Sequence, residues 1–536
     1  MAEANGVTAR NAVSPSSDAV DRAVLLALLA SCACWLIGFA LVGYPWSMIG
    51  LSMTDSLVYF WMAQALHLGS GDPTAAHGWS ILSETRFPPG YPAFLSMFGP
   101  NTDASGLRAA NIGQFVSVLL ALLSMVALYW RYLKPPLAMA ACAYSLTLPW
   151  LYPWSFDLIS EPLFVALLLL ACRLADPLAL RRWSFVWIAL LFGLLCLTRS
   201  LGYPLLVALA WWMWTRVPSR RHWLLGMSIA IAPLVLWKLY QGMHGSAADS
   251  YLGWTWQQFA QLPPGVLKLA WTQWAHLASS LTPAALPDLL RAGIGSVLLL
   301  AALAQALGAS LRAELMGAVT LILFCVLVAW PFPLHFDRLV APLAPLVVLY
   351  ALLPWAKSQQ PAAPEPALES QRPYPPRWAA RLLALLALAL VWACAILPML
   401  DGGHRRVPES QRPYLRSAMA SQRGAATAPQ AVDHLARVLQ VAGELDRLVP
   451  ATDCVLATWP NLLKLRSARV ILDSPVPFAW TSKACSYALA IDVWDGSHAG
   501  GANYPMTVNG LRYQPVAEWR SSANADPFAR LIRVVE

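Results

Sequence analysis

Charge is scarce in this chain. Asp, Glu, Lys and Arg make up 12% of its 536 residues, where soluble domains run near ~25%. That excludes a multi-domain soluble enzyme and a disordered chain. Cysteine is also sparse, at 9 residues. Cys32, Cys34, Cys142, Cys172, Cys196, Cys325 and Cys394 fall in apolar runs, where the side chain behaves as a small hydrophobe, so a disulfide-dense secreted scaffold is excluded. The CxxC, HExxH and P-loop spacings are missing, which removes the usual metal and nucleotide signatures. A targeting peptide is missing too. Residues 1–22 are polar and the first apolar run, 23–43, is too long for a signal peptide's core. It reads as a retained first span behind a cytoplasmic tail. The net charge of +9 invites a nucleic-acid reading, but most basic residues sit in short connections between apolar runs, as topology signals do.

What is present is apolar length. Hydrophobic residues are 58% of the chain, with 26 Trp, whose amphipathic rings suit the two membrane interfaces. A bilayer core needs about 20 apolar residues per helix. That ruler gives about eleven spans: 23–43, 107–130, 137–153, 159–175, 183–198, 201–216, 223–241, 289–309, 314–331, 338–355 and 379–399. Lys and Arg concentrate in alternate connections, including Arg131, Lys134, Arg181, Arg182, Arg216, Arg220, Arg221 and Arg312. This predicts an inside N-terminus. The loops 44–106 and 242–288 then lie outside, as does 400–536. The Pro-rich stretch 357–378 reads as an inner linker.

Within the first outer loop, 54–68 is expected to form an amphipathic interfacial helix. Residues 87–98 read as a proline-fixed entry to a short apolar helix. The tail has helical apolar spacing over 431–449, followed by short apolar runs at Cys454–Ala457, Val470–Leu472, Tyr487–Ile491 and Leu531–Val535. Helix then strands predicts a small α/β domain. The whole is therefore an α-helical polytopic membrane protein, spans 23–399, with an extracytoplasmic α/β domain at 400–536. Cys454 and Cys485 are the one cysteine pair in that domain. They form a disulfide if that side is oxidising, and remain two thiols otherwise.

Most predicted spans carry no ionisable group at their centres. The exceptions collect at one level, the outer ends: Asp55, Glu84, Arg86, Asp157, Glu161, Arg199, His335, Asp337 and Arg338. An ionisable group at a membrane segment is costly and usually functional. Carboxylates serve as general bases or cation ligands, and arginine clamps phosphate. Such a mixture at the interface suits a lipid-linked phosphate whose tail stays in the bilayer. Each residue also has a plainer reading. Asp55 can be a helix-start acid, Arg199 and Arg338 can snorkel at span ends, Glu84 and Arg86 can pair on the surface, and His335 can be structural. In the tail, Asp492, Asp495 and His498 fit ordinary loop polarity better than a cation site.

At these residues the chain resembles the GT-C superfamily of glycosyltransferases that use polyprenyl-phosphate sugars, in particular the protein-mannosyltransferase and aminoarabinose-transferase branch. TDSLVYFWMAQAL (54–66) is similar to the family's first-loop acidic motif, with Asp55 in the catalytic place and Tyr59 as its following aromatic. RFPPGYPAFLSMFG (86–99), SFDLISEPLFVALLLLA (155–171), LTRSLGYPLL (197–206) and HFDRLVAPLAPLVVL (335–349) resemble four further family segments in order. Ser56 departs from the pattern, since a second acid often stands there. Asp337-Arg338 departs as well, standing where Arg-Tyr is usual.

The resemblance implies a glycosyltransferase moving a hexose or pentose from a polyprenyl-phosphate carrier to an extracytoplasmic lipid, glycan or protein, with inversion at C1. It implies Asp55 as general base and Asp157 and Glu161 as its catalytic companions. Arg86, Arg199 and Arg338 would bind phosphate, with Tyr59, Glu84 and His335 around the substrate. The donor is a substrate; no cofactor is certain, and a divalent cation stays open. The composition, rich in Ala, Leu, Trp and Arg, points to a bacterial inner membrane and an undecaprenyl carrier, with no nucleic-acid partner. The competing readings are a transporter or flippase of lipid-linked sugars, and a polysaccharide polymerase.

Overall fold

The structure, a computed structural model, describes residues 54–72, 78–79, 81–82, 87–101, 104–151, 158–175, 184–217, 219–244, 266–283, 286–329, 336–357, 440–457, 469–473, 485–491, 507–508, 511–520 and 527–535, with a few isolated positions besides. The expected spans 23–43 and 379–399 lie almost wholly outside them, as does the linker 358–378.

Helices come first. They are α1 (Thr54–Leu68), α2 (Gly90–Ser96), α3 (Ala104–Tyr132), α4 (Pro135–Leu146), α5 (Glu161–Leu174), α6 (Ser184–Thr198), α7 (Gly202–Arg216), α8 (Arg220–His244), α9 (Val266–Ser280), α10 (Asp288–Leu311), α11 (Leu315–Val328), α12 (Phe336–Leu339) and α13 (Ala344–Lys357). Among the described residues, three helices are long and apolar enough to cross a membrane: Arg108–Tyr132, Arg220–Met243 and Asp288–Leu311. Shorter apolar helices stand beside them at Ser184–Thr198, Leu315–Val328 and Ala344–Ala356. Large hydrophobics are exposed along the outer faces of α8 and α10, among them Leu236, Leu239, Leu289 and Val297. That exposure is unfavourable in water but ordinary against lipid. Inside the bundle, phenols reach distant backbone. Tyr129 donates to the Pro345 carbonyl at 3.1 Å, tying α3 to the start of α13, and Tyr144 donates to the Leu281 carbonyl at 2.8 Å.

Two expectations change. The expected loop 242–288 contains α9, which packs on α10 so closely that a Cβ on Gly295 would run into the Ala278 carbonyl oxygen. The expected span at 338–355 is split into α12 and α13 by a turn over 340–343.

The amphipathic expectation for 54–68 also fails. α1 is buried from Ser56 to Ala65 apart from the half-buried Val58. Its faces, set by i, i+4 spacing, enter three apolar clusters. Leu57, Phe60 and Trp61 join one; Tyr59 and Ala63 join a second with Tyr91 and Leu95; Met62 joins a third with Leu82 and Trp237. A helix covered all round has no use for a polar face.

The tail supplies a helix, α14 (440–448), and six strands: β1 (Cys454–Ala457), β2 (Val470–Asp473), β3 (Tyr487–Ile491), β4 (Thr507–Val508), β5 (Leu511–Arg520) and β6 (Pro527–Val535). The sheet order is β2-β1-β3-β6-β5-β4. β1 runs parallel to both β2 and β3, and the remaining pairs are antiparallel. β5 holds Pro515 where the register shifts, which is where a strand tolerates a residue without an N–H. Cys454 and Cys485 are joined by a disulfide, with Cα atoms 4.9 Å apart. Val441, Ala442 and Leu445 of α14 belong to the same apolar cluster as Leu57, Phe60 and Trp61 of α1. The tail is thereby seated on α1.

Candidate active site

Four charged residues from four elements meet at one end of the bundle. Asp55 lies in the first turn of α1. Glu161 opens α5, whose first turn also carries Pro162, a residue pre-set for that place. Arg199 follows the last residue of α6, and Arg338 lies in the short α12. Arg338 Nη2 donates to Asp55 Oδ2 at 2.7 Å across 283 residues of sequence. The Arg338 Nε and the Arg199 Nη1 both pair with Glu161 Oε1. The result is an alternating ladder, Asp55–Arg338–Glu161–Arg199.

Burial is graded along it. The Glu161 side chain is 3% exposed and Arg338 10%, whereas Arg199 is 13% and Asp55 26% exposed. Glu161 is thus the most enclosed member, and Asp55 and Arg199, at the two ends, are the most accessible. Charge neutrality makes the burial tolerable, since an unpaired buried charge would cost several kcal/mol.

Beside the ladder, the Tyr59 hydroxyl lies 3.1 Å from Ser160 Oγ. Arg199 Nη1 donates to the same oxygen at 3.4 Å. The Tyr59 ring is boxed edge-on by Phe87 and Tyr91, with centroids at 5.5 and 5.1 Å. Tyr91 in turn donates to Gln114 Oε1 of α3 at 2.5 Å. Burial, and next the Asp55 carboxylate, push the Tyr59 phenol above its ordinary range. It stays protonated and acts as a hydrogen-bonding group.

Of the residues singled out from sequence, the structure brings together Asp55, Tyr59, Glu161, Arg199 and Arg338. Glu84, Arg86, Asp157 and His335 lie outside the described residues, as do Asp492, Asp495 and His498. Two contributors were not legible. Ser160 stands in the 155–171 segment with no role legible there, because a serine before a helix ordinarily reads as a cap. Gly90 was missed because its function is a close approach: a Cβ there would stand 2.7 Å from the Leu197 carbonyl oxygen and 3.0 Å from the Thr198 nitrogen. The segment entering α2 thus presses on the turn that carries Arg199.

A divalent cation fits poorly among these groups. Asp55 and Glu161 are each engaged by guanidinium, and no group of three His, Cys, Asp or Glu converges among the described residues.

The same arrangement, a bundle of short and long apolar helices with a small mixed sheet seated on it, recurs among solved structures. Among solved structures, the chain is similar to ArnT from Cupriavidus metallidurans bound to undecaprenyl phosphate. The TM-score is 0.52 and the identity 13%, over 95% of this chain and 97% of that one. The apo state of the same protein gives a TM-score of 0.53 and 14% identity, over 96% and 98%. A looser likeness, TM-score 0.46 with 14% identity over 87% and 69%, is to the apo oligosaccharyltransferase of Archaeoglobus fulgidus. No protein-family model and no curated protein matches the sequence.

Proposed function

We propose that the chain is a membrane glycosyltransferase that moves a sugar from a polyprenyl-phosphate carrier to an acceptor on the extracytoplasmic side. One observation carries the reading: the buried ladder ends in a reachable carboxylate, Asp55, at one end and a reachable guanidinium, Arg199, at the other. A general base and a phosphate partner held at a fixed separation are what transfer from a glycosyl phosphate requires. The likeness to a structure that holds undecaprenyl phosphate supports the carrier class.

In this reading Asp55 accepts the proton of the acceptor hydroxyl or amine as that atom bonds to the sugar C1. The C1–O bond to phosphate breaks on the opposite face, and its electron pair leaves with the phosphate. One displacement inverts C1. Arginine pairing lowers the basicity of a carboxylate, so Asp55 is a weak base while Arg338 holds it. Negative charge growing on the departing phosphate draws on Arg199 and Arg338 together, which loosens the hold on Asp55 as the proton arrives. Glu161 keeps both guanidiniums in place. Asp157, Glu84, Arg86 and His335 belong to the same proposed site, and no step is routed through a cation. In this reading the membrane module runs over 23–399 in a bacterial inner membrane, the tail 400–536 lies on the outer side, and the sugar is a hexose or pentose.

The test is Asp55→Asn in the purified full-length chain, assayed for sugar release from a lipid-phosphate donor. The expected loss is at least about 100-fold in kcat, the scale of a general base. Near-normal turnover in a folded variant would overturn the assignment.

A further inference from the structure

Ser160 has αR backbone angles, φ −77° and ψ −12°, at the N-cap of α5, and its side chain makes no capping hydrogen bond. A serine cap ordinarily stabilises a helix by accepting a backbone N–H of its first turn. Here that contribution is forgone, and the hydroxyl turns instead to Tyr59 at 3.1 Å and Arg199 Nη1 at 3.4 Å. The oxygen is fully buried.

The ladder explains why a second contact is needed. Arg199 and Arg338 share a single Glu161 oxygen, Oε1. One shared oxygen fixes the position of the Arg199 charge but leaves its planar fork free to swing. Phosphate recognition by arginine depends on fork orientation. A second acceptor on the adjacent residue supplies a second point of attachment. Ser160 Oγ is itself located by Tyr59, whose ring is boxed by Phe87 and Tyr91 and anchored through Tyr91 to Gln114. One Ser hydroxyl can accept from Arg199 while it donates to, or accepts from, the Tyr59 hydroxyl.

We infer that Ser160 is a positioning residue that, with Tyr59, orients the Arg199 guanidinium toward the phosphate of the lipid carrier. The inference rests on the proposed function, because it takes Arg199 as a phosphate ligand.

The experiment measures binding of undecaprenyl phosphate to the full chain in nanodiscs by intrinsic tryptophan fluorescence. Ser160→Ala is expected to raise Kd about 5- to 10-fold, the scale of one lost hydrogen bond to a charged group. Ser160→Thr, which keeps the hydroxyl, should return Kd to within about 2-fold of the parent. In an Arg199→Ala background the effect of Ser160→Ala should vanish, since there is no fork left to orient. A purely structural serine would act equally in both backgrounds, and that result overturns the inference. So does an unchanged Kd for Ser160→Ala. Tyr59→Phe leaves Ser160 in place but removes its second partner. It should weaken binding in the same direction, and it carries the test if Ser160→Ala does not fold. If the parent binds undecaprenyl phosphate and Arg199→Ala weakens it while Ser160→Ala does not, this inference alone falls. If the parent does not bind it, the functional reading falls as well.

Discussion

Glu161 is where the energetics of the site are most exposed to test. It is nearly inaccessible, and one of its oxygens meets two guanidiniums. Removing its charge leaves two buried cations facing a neutral amide, and breaking a buried pair in this way costs about 3–5 kcal/mol. Glu161→Gln is therefore expected to lower the thermal midpoint in detergent markedly. Asp55→Asn, at the more accessible end, should cost less, because Arg338 keeps Glu161 as its partner. The two substitutions separate what holds the site from what does the chemistry, and equal losses of stability would contradict the graded ladder. Asp453, before β1, offers a pH readout. Burial opposes its ionisation, but the backbone N–H groups of Cys454 and Ser486 donate to it at 2.9 and 3.2 Å and hold its carboxyl below the usual range. Its stabilising effect is complete above the unfolded value of about 4 and is lost as pH falls through the folded one. Acid unfolding of Asp453→Asn should accordingly lack that component. At this scale the sequence was legible where charge interrupts apolar runs, which is how Asp55, Glu161, Arg199 and Arg338 stood out. Ser160 was not, since a serine at a helix start has an ordinary use and nothing local reveals that its hydroxyl has been diverted.

Among the elements, apolar length carried the reading well. The expected spans from 107–130 to 314–331 fall on helices, α3 to α8, α10 and α11, of which three are long and apolar enough to cross a membrane. α9 escaped because Lys268, Gln273 and His276 interrupt it. β5, LRYQPVAEWR, escaped because charge and a proline break its alternation. The environment of α1 could not be read at all, since its covering partners come from distant sequence. Close approaches were equally hidden. The contact at Gly90 brings the entry of α2 against the end of α6, one residue before Arg199. A side chain there must push the two apart. Gly90→Val is expected to reduce transfer at least about 10-fold, since a displacement of about 1 Å at a catalytic constellation can cost about 100-fold. Gly71→Ala, where a Cβ would meet nothing within 4 Å, should leave transfer unchanged. Steady-state kinetics of the two variants checks the contrast, and equal activity would mean that the turn carrying Arg199 tolerates movement.

For the whole molecule, the question is why a small sheet should sit on a membrane bundle at α1. The apolar cluster that joins them is continuous from Phe60 and Trp61 through Val441 and Leu445 to Val455, Tyr487 and Leu531. α1 has Asp55 and Tyr59 beside the residues that enter this cluster, so the seating of the tail and the pose of the proposed base share one helix. The register of β1 with β3, Val455 beside Tyr487, carries the packing of α14 into the sheet, and the Cys454–Cys485 bond links the leading ends of the same two strands. Leu445→Ala removes a fully buried side chain from the middle of this contact, at a cost of about 2–5 kcal/mol. Most of that loss should appear as opening of the tail rather than of the bundle. Limited proteolysis is expected to release the tail sooner in Leu445→Ala than in the parent, with the helical far-UV signal retained. Transfer activity should fall in step with the opened fraction, because α1 loses one of its three supports. If the tail opens while activity persists undiminished, the sheet only covers the site and does not hold its base in place.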